Sequence, residues 1–140
     1  MVKLQSYKNT DYQEVIKLIN KSGVSTVNVW DSKENYSSMV KKDKQAITIA
    51  IDNKQIIGVF MLIYFGSMIC LMYRLAVDKN YRNKGVGSLL LAKAEEIAKK
   101  KNVKKLGFYV EAKNKKLINY YKKRKYDLIN KEYNFMWKTI

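Results

Sequence analysis

Between Ala46 and Val77 three apolar runs follow one another with only short polar breaks: "AITIAI", "DNKQ", "IIGVFMLIYF", "GS" and "MICLMYRLAV". Runs of this kind bounded by turn residues read as strands, and three of them joined by tight turns imply an antiparallel meander. A short loop, "DKNYRNK", follows, and then the period changes. Val86, Leu89, Leu90, Ala94, Ile97 and Ala98 keep the i, i+3, i+4 spacing of one helix face. "VKKLGFYV" is a further strand, so strand, crossing helix and strand form a βαβ unit, normally parallel and right-handed. Upstream, Tyr12, Val15, Ile16 and Ile19 predict an amphipathic helix that Thr10 or Asp11 could cap, and a weaker helix spans Lys33 to Lys42. Downstream, "KKLINYYKKR" is a shorter helix, and "YDLI" and "YNFMWKTI" close the chain as strands around "NKE". The order α-α-β-β-β-α-β-α-β-β is that of an α/β fold with a mixed sheet.

Composition narrows the chemistry. The 140 residues suit one domain, residues 1–140, and a hydrophobic fraction of 47% supplies a core. The longest apolar run, Ile56 to Tyr73, is broken by Gly58, Gly66 and Ser67, so no membrane span is expected. The start "MVKLQSYKNTD" lacks the apolar core of a signal peptide. The single cysteine, Cys70, fits a reducing compartment, and a soluble cytoplasmic protein is expected. Histidine is absent, which excludes Ser-His and Cys-His nucleophilic catalysis and the usual Cys/His zinc site; no metal is expected. The net charge of +16 attracts polyanions: nucleic acid, an anionic membrane or a phosphorylated cofactor. It equally reflects a chain rich in Lys, Asn, Ile and Tyr and without Pro, so charge alone does not choose. No helix-turn-helix, zinc or RNA-recognition signature supports nucleic acid as the partner.

The helix after the meander begins with "RNKGVG", although glycine is among the poorest helix formers. A helix N-terminus carries unpaired N–H groups and the positive end of the macrodipole. A glycine loop leading into it lets a phosphate reach the backbone, and Arg82 and Lys84 would flank that phosphate. The other reading is a tight strand-to-helix turn in which glycine permits close helix–sheet packing. Leu90 stands where a dinucleotide fingerprint needs its third glycine, and no G-K-[ST] follows, so neither an NAD fold nor an NTPase is supported.

Two motifs in this element order carry a resemblance. Arg82-Asn83-Lys84-Gly85-Val86-Gly87 matches an R/Q-x-x-G-x-G/A loop, and Asn114 opens a later helix with Tyr121 seven residues on. The series from Cys70 to Asp127 resembles the GNAT superfamily of acyl-CoA-dependent N-acyltransferases. The resemblance implies a mixed, mostly antiparallel sheet flanked by helices and splayed between its fourth and fifth strands, here Met68 to Val77 and Val103 to Ala112. It implies a bulge at the end of the first of these, with pantetheine in the gap pairing with backbone at Leu75, Ala76 and Val77. An N–H there would polarise a thioester carbonyl. Arg82 through Gly87, with Ser88, would hold the coenzyme A pyrophosphate, and acetyl-CoA is the implied co-substrate.

Tyr121 is by the same resemblance the proton donor to the leaving thiolate; taken alone, Leu117, Tyr120 and Tyr121 make an ordinary apolar face. A thiol near pKa ~8.5 and a phenol near ~10 can exchange a proton without histidine. Asn114 is a helix cap, a cofactor contact or both. For the general base, Glu34, Asp31 and Glu111 are the acids to inspect, beside the amine's own neutral fraction. Trp30, Tyr36 and Tyr133 lie in the segments that shape the acceptor site in the family, and core or rim packing is the alternative for each. Lys125 stands where the family usually has glycine after the catalytic helix, so the turn either strains or differs. The implied activity is acetyl transfer from acetyl-CoA to a primary amine, on a small molecule or on a peptide or protein, by direct attack in a ternary complex. The alternatives are a non-catalytic CoA-binding or interaction domain and a basic nucleic-acid-binding protein. A homodimer is among the possible assemblies.

Overall fold

The computed structural model of the chain describes residues 1–23, 29–129, 136 and 138. They fall into two compact units, Met1–Phe108 and Tyr109–Ile140. The first is built on a five-stranded sheet in the order β1-β2-β3-β4-β5. The strands are β1 (Lys3–Ser6), β2 (Ile47–Asp52), β3 (Gln55–Phe65), β4 (Ile69–Val77) and β5 (Lys105–Gly107). Neighbours are antiparallel except β4 and β5, which are parallel. This is the mixed, mostly antiparallel sheet read from the sequence. The meander turns tightly where expected: Asn53 and Lys54 both take positive φ, 47° and 65°, the geometry whose twist suits a two-residue hairpin loop.

Helices α1 (Tyr12–Ser22), α2 (Lys33–Lys42) and α3 (Val86–Lys100) belong to this unit, and α4 (Lys115–Lys122) to the second. Ile56 to Leu62 of β3 are all buried, so the strand reads as a continuous apolar run because it is covered on both faces. On one face Val15, Leu18 and Ile19 of α1 join Ile47, Ile49, Val59 and Met61 in one cluster. On the other, Leu90 of α3 comes so close to Gly58 that a Cβ there would lie 2.7 Å from its Cδ1. Helix α3 closes on Asn102 (φ 55°), with Val103 N–H donating to Ala98 O at 3.0 Å and Asn102 N–H to Lys99 O at 3.0 Å.

Four expectations change. Strand β1 was not expected: its side chains are mostly exposed and carry no apolar alternation, and what holds it is the ladder from Lys3↔Ile51 to Ser6↔Thr48. The strand expected from Val103 to Ala112 is confined to Lys105–Gly107, because its ladder with β4 ends there. "YDLI" forms no strand; residues 126–129 are irregular, and most of "YNFMWKTI" lies outside the described residues. Asp11 precedes α1 but does not cap it, since its carboxylate accepts the N–H of Lys8 at 2.7 Å, within a short 3-10 turn (Asn9–Asp11).

Candidate active site

Two features expose the backbone at the end of β4. Its ladder with β3 runs to Val77↔Gly58, but its ladder with β5 stops at Leu71↔Gly107. From Met72 onward the edge toward β5 therefore has no strand partner among the described residues. Between the pairs Met61↔Tyr73 and Val59↔Ala76, β4 places Arg74 and Leu75 against the single residue Phe60. This is a β-bulge, the device that bends a strand and re-aims its groups. Arg74 takes φ 54°, in the left-handed region that L-residues avoid.

The bulge has a buried anchor. Arg74 is 5% exposed and Asp31, in the 3-10 turn Val29–Asp31, is 1% exposed. Arg74 Nε donates to Asp31 Oδ1 at 3.0 Å and Nη2 to Oδ2 at 2.6 Å, the two-pronged geometry that a guanidinium gives a carboxylate. Tyr36 Oη donates to the same Oδ1 at 2.8 Å, and Tyr12 Oη to the main-chain oxygen of Asp31 at 2.6 Å. Burial, then the Asp31 carboxylate, raises the Tyr36 hydroxyl well above the ordinary phenol range.

The loop after β4 curls into α3 through Asn83 (φ 60°) and Gly85 (φ 83°). Gly85 is the N-cap and has no side chain to close the helix start; the first turn holds no acidic residue. The first intrahelical bond is Leu89 N–H to Gly85 O at 2.9 Å. Arg82 is exposed, yet its guanidinium is engaged: Nε donates to Val77 O at 3.3 Å and Nη2 to Ser22 O, which ties the loop to β4 and α1. Lys84 holds its ammonium 5.5 Å from the centre of the Tyr81 ring. A Cβ on Gly87 would meet only Val77 Cγ2, at 3.9 Å. The first turn of α3 therefore lies beside the open end of β4. Backbone donors, nearby cations and room at both glycines are a donor set that fits a pyrophosphate, and the open strand edge beside them fits an amide-bearing pantetheine arm.

In the second unit Asn114 precedes α4 and its Oδ1 accepts the N–H of Leu117 at 3.1 Å, so the side chain caps the helix. The helix ends in a Schellman-type turn: Tyr126 N–H donates to Tyr121 O at 3.2 Å and Lys125 N–H to Lys122 O at 2.9 Å. Lys125 occupies the glycine position of that motif with φ 64°. The turn keeps its shape and the lysine bears the left-handed strain. The Tyr126 ring packs edge-on to Tyr121 at 5.8 Å and Tyr120 does so at 5.3 Å. Tyr121 is 8% exposed, and burial, then neighbouring Tyr120, pushes its hydroxyl up to about 12.

The model of the acetyltransferase (GNAT) family matches residues 12–126. The chain belongs to this family. A GNAT fold is also what solved structures share with it. A PaiA N-acetyltransferase from Thermoplasma acidophilum, in complex with coenzyme A, superposes with a TM-score of 0.81 at 20% identity over 94% of this chain and 93% of that one. The ribosomal-protein-S18-alanine N-acetyltransferase of Escherichia coli gives 0.73 at 18% identity over 89% and 76%. An aminoglycoside acetyltransferase from an uncultured soil metagenomic sample, in complex with sisomicin, gives 0.71 at 14% identity over 99% and 97%. No curated protein sequence matches significantly.

Within this GNAT chain, Leu75, Ala76, Val77 and the run Arg82 to Ser88 lie together in the first unit, while Asn114 and Tyr121 belong to the second. The acceptor-side residues separate by environment. Trp30 is 57% exposed, and Glu34 is exposed in the first turn of α2. Tyr36 is a core residue, packed edge-on between Tyr7 and Tyr12, so it does not line an open acceptor surface. Among the candidate bases, Asp31 is locked to Arg74, and Glu111 is exposed and pairs with Lys113 at 3.4 Å. Tyr133 lies outside the described residues. Cys70 is buried, and burial pushes its thiol up to about 11, away from nucleophilic use. Sequence reasoning singles out no role for Arg74; the signal for it is a lone cation inside the apolar run "MICLMYRLAV".

Proposed function

We propose that the protein is an acetyl-CoA-dependent N-acetyltransferase that acts on a primary amine by direct attack in a ternary complex. One observation carries it: the start of α3 is open, cation-flanked and set against a strand edge with no strand partner among the described residues, and a Cβ on Gly87 would meet only Val77 Cγ2 among them. The family match, residues 12–126, takes in parts of both compact units, which supports one N-acetyltransferase domain.

Acetyl-CoA, when bound, supplies an acetyl group activated as a thioester. The residues Arg82 to Ser88 bind its pyrophosphate through main-chain N–H groups, with Lys84 adding charge and Arg82 holding the loop in shape. Main-chain N–H groups at Leu75 to Val77 orient the acyl group and take up negative charge at its oxygen, work that needs no side chain. This suits a chain without histidine. Tyr121 holds a proton for the departing sulfur; with its hydroxyl near 12 it stays protonated throughout the neutral and mildly alkaline range. Donation to a thiolate of ordinary pKa would be uphill, but the burial that raises a phenol raises a thiolate too, which narrows the gap. The acceptor enters as its neutral fraction. The relatives named above acetylate a ribosomal-protein alanine and aminoglycosides, so the acceptor here is a small-molecule or a peptide or protein amine.

The test is acetyl-CoA turnover against polyamines, aminoglycosides, amino acids and N-terminal peptides. Against an acceptor with a lysine-like pKa, kcat/KM should rise about tenfold per pH unit between roughly pH 7 and 9. No alkaline fall should set in until Tyr121 ionises near 12. Tyr121→Phe should lower kcat about 100-fold and leave acetyl-CoA affinity unchanged. A Tyr121→Phe variant with wild-type kcat would remove Tyr121 from the role. Acetyl-CoA binding with no amine acetylated would leave a non-catalytic binding module.

A further inference from the structure

Asp31 and Arg74 form a buried ion pair in the first unit. Both side chains are almost wholly removed from water, Asp31 0% and Arg74 3% exposed, and an ion pair in such surroundings is weak evidence for stability. In some proteins such a pair is retained for the register it specifies. The Arg74 backbone sits at φ 54° without being glycine, so something must hold it there. The guanidinium is gripped at two atoms by Asp31, lies 4.7 Å from the centre of the Tyr73 ring, and the gripping carboxylate is itself steered by Tyr36. Asp31 follows exposed Trp30 in the turn between α1 and α2, the side of the molecule that shapes the acceptor site in the family. Arg74 immediately precedes Leu75. One buried contact therefore joins the acceptor-side turn to the strand end that carries the main-chain donors.

Resting on the proposed acetyl transfer, we propose that Asp31 and Arg74 are positioning residues: their ion pair holds the β4 bulge so that the N–H groups at Leu75 to Val77 face the acyl oxygen, and it fixes their separation from the acceptor-side turn. Neither touches substrate. Tyr36 belongs to the same device, through its hydroxyl on Asp31.

The test separates holding from mere packing. The double variant Asp31→Leu with Arg74→Met replaces the pair by apolar side chains, a change that commonly preserves or raises stability. It should melt at or above the wild-type temperature and bind acetyl-CoA with unchanged Kd, because the pyrophosphate loop is untouched. Its kcat should fall about 100-fold with KM for acetyl-CoA unchanged, as expected when reacting groups are misplaced by about 1 Å. In the free protein, the Asp78 amide, which donates to Ile57 O at 2.8 Å just beyond the bulge, should exchange with solvent faster while those of β2 do not change. A double variant with wild-type kcat, or with wild-type exchange at Asp78, overturns the proposal. If that variant fails to fold, Tyr36→Phe removes only the hydroxyl on Asp31. A kcat about tenfold lower at constant acetyl-CoA Kd then supports the proposal, and an unchanged kcat sinks it. If the wild type acetylates nothing, the transferase reading falls on its own, and amide exchange in the free protein still decides whether the pair holds the bulge.

Discussion

Helices α2 and α3 lie in the same compact unit and begin in opposite ways. At α2, Ser32 is extended and its Oγ accepts the N–H of Asn35 at 3.1 Å, with Glu34 in the first turn to meet the macrodipole. At α3, the cap is a left-handed glycine with no side chain, no acid follows, and Arg82 and Lys84 stand where the dipole makes cations unfavourable. A helix that serves only the fold closes its own start. A start left open, with charge of the wrong sign for the helix, is what the proposed pyrophosphate site requires. Helix α4 stands between the two, with Asn114 as its cap but Lys115 and Lys116 in its first turn.

The sharpest way to break this comparison is Gly87→Leu. A Cβ at Gly87 meets only Val77 Cγ2 at van der Waals distance, and leucine is a good helix former, so the fold should hold and the melting temperature should not fall. The side chain would cover the N–H groups that a pyrophosphate needs. Losing one or two charge-assisted hydrogen bonds should raise the acetyl-CoA Kd about 100-fold by calorimetry. A variant that unfolds while the surviving folded protein keeps its affinity would show that the glycine serves packing, and the contrast between the two helices would lose its meaning.

The converse variant is Ser32→Ala. It removes a working cap and should cost about 1 kcal/mol in chemical denaturation, while acetyl-CoA affinity stays where it was. If affinity moved as much as stability, the two helix starts would not be doing different jobs.

The sequence showed this contrast only in part. The meander, α1, α2 and α3 were legible because long apolar runs and regular spacing decide them. The α3 loop was legible as a motif, but both its readings contained some truth. Gly85 is required by its φ of 83°, a Cβ at Gly87 would meet only Val77 Cγ2 among the described residues, and the close helix–sheet approach belongs to Gly58, a strand residue outside the motif. Strand β1 was invisible because an exposed edge strand owes its order to its neighbour's backbone and carries no pattern of its own. The bulge was implied by resemblance, but its anchor was not. Asp31 and Arg74 are 43 residues apart, and no local period links an acid in one turn to a cation in a distant strand. Tyr36 was ambiguous for the same reason, since whether a tyrosine faces a ligand or a buried carboxylate depends on what folds against it.

The smallest predicted effect concerns how helices end. Helix α1 stops at Gly23 with φ 72°, where glycine takes the left-handed conformation without penalty. The turn after α4 asks the same of Lys125, whose Cβ makes φ 64° unfavourable by roughly 1 kcal/mol. Lys125→Gly relieves that strain but gives the unfolded chain more freedom, an opposing cost of about 0.4–1 kcal/mol. The net should be a stabilisation of a few tenths of a kcal/mol, a rise in melting temperature of about 1 °C for a chain of this size. Because the Schellman bonds from Tyr126 to Tyr121 and from Lys125 to Lys122 are already made, the glycine should leave kcat unchanged. A variant that gains activity instead would show that the lysine distorts the turn beneath Tyr121, and that the strain reaches the proposed proton donor rather than stopping at one backbone angle.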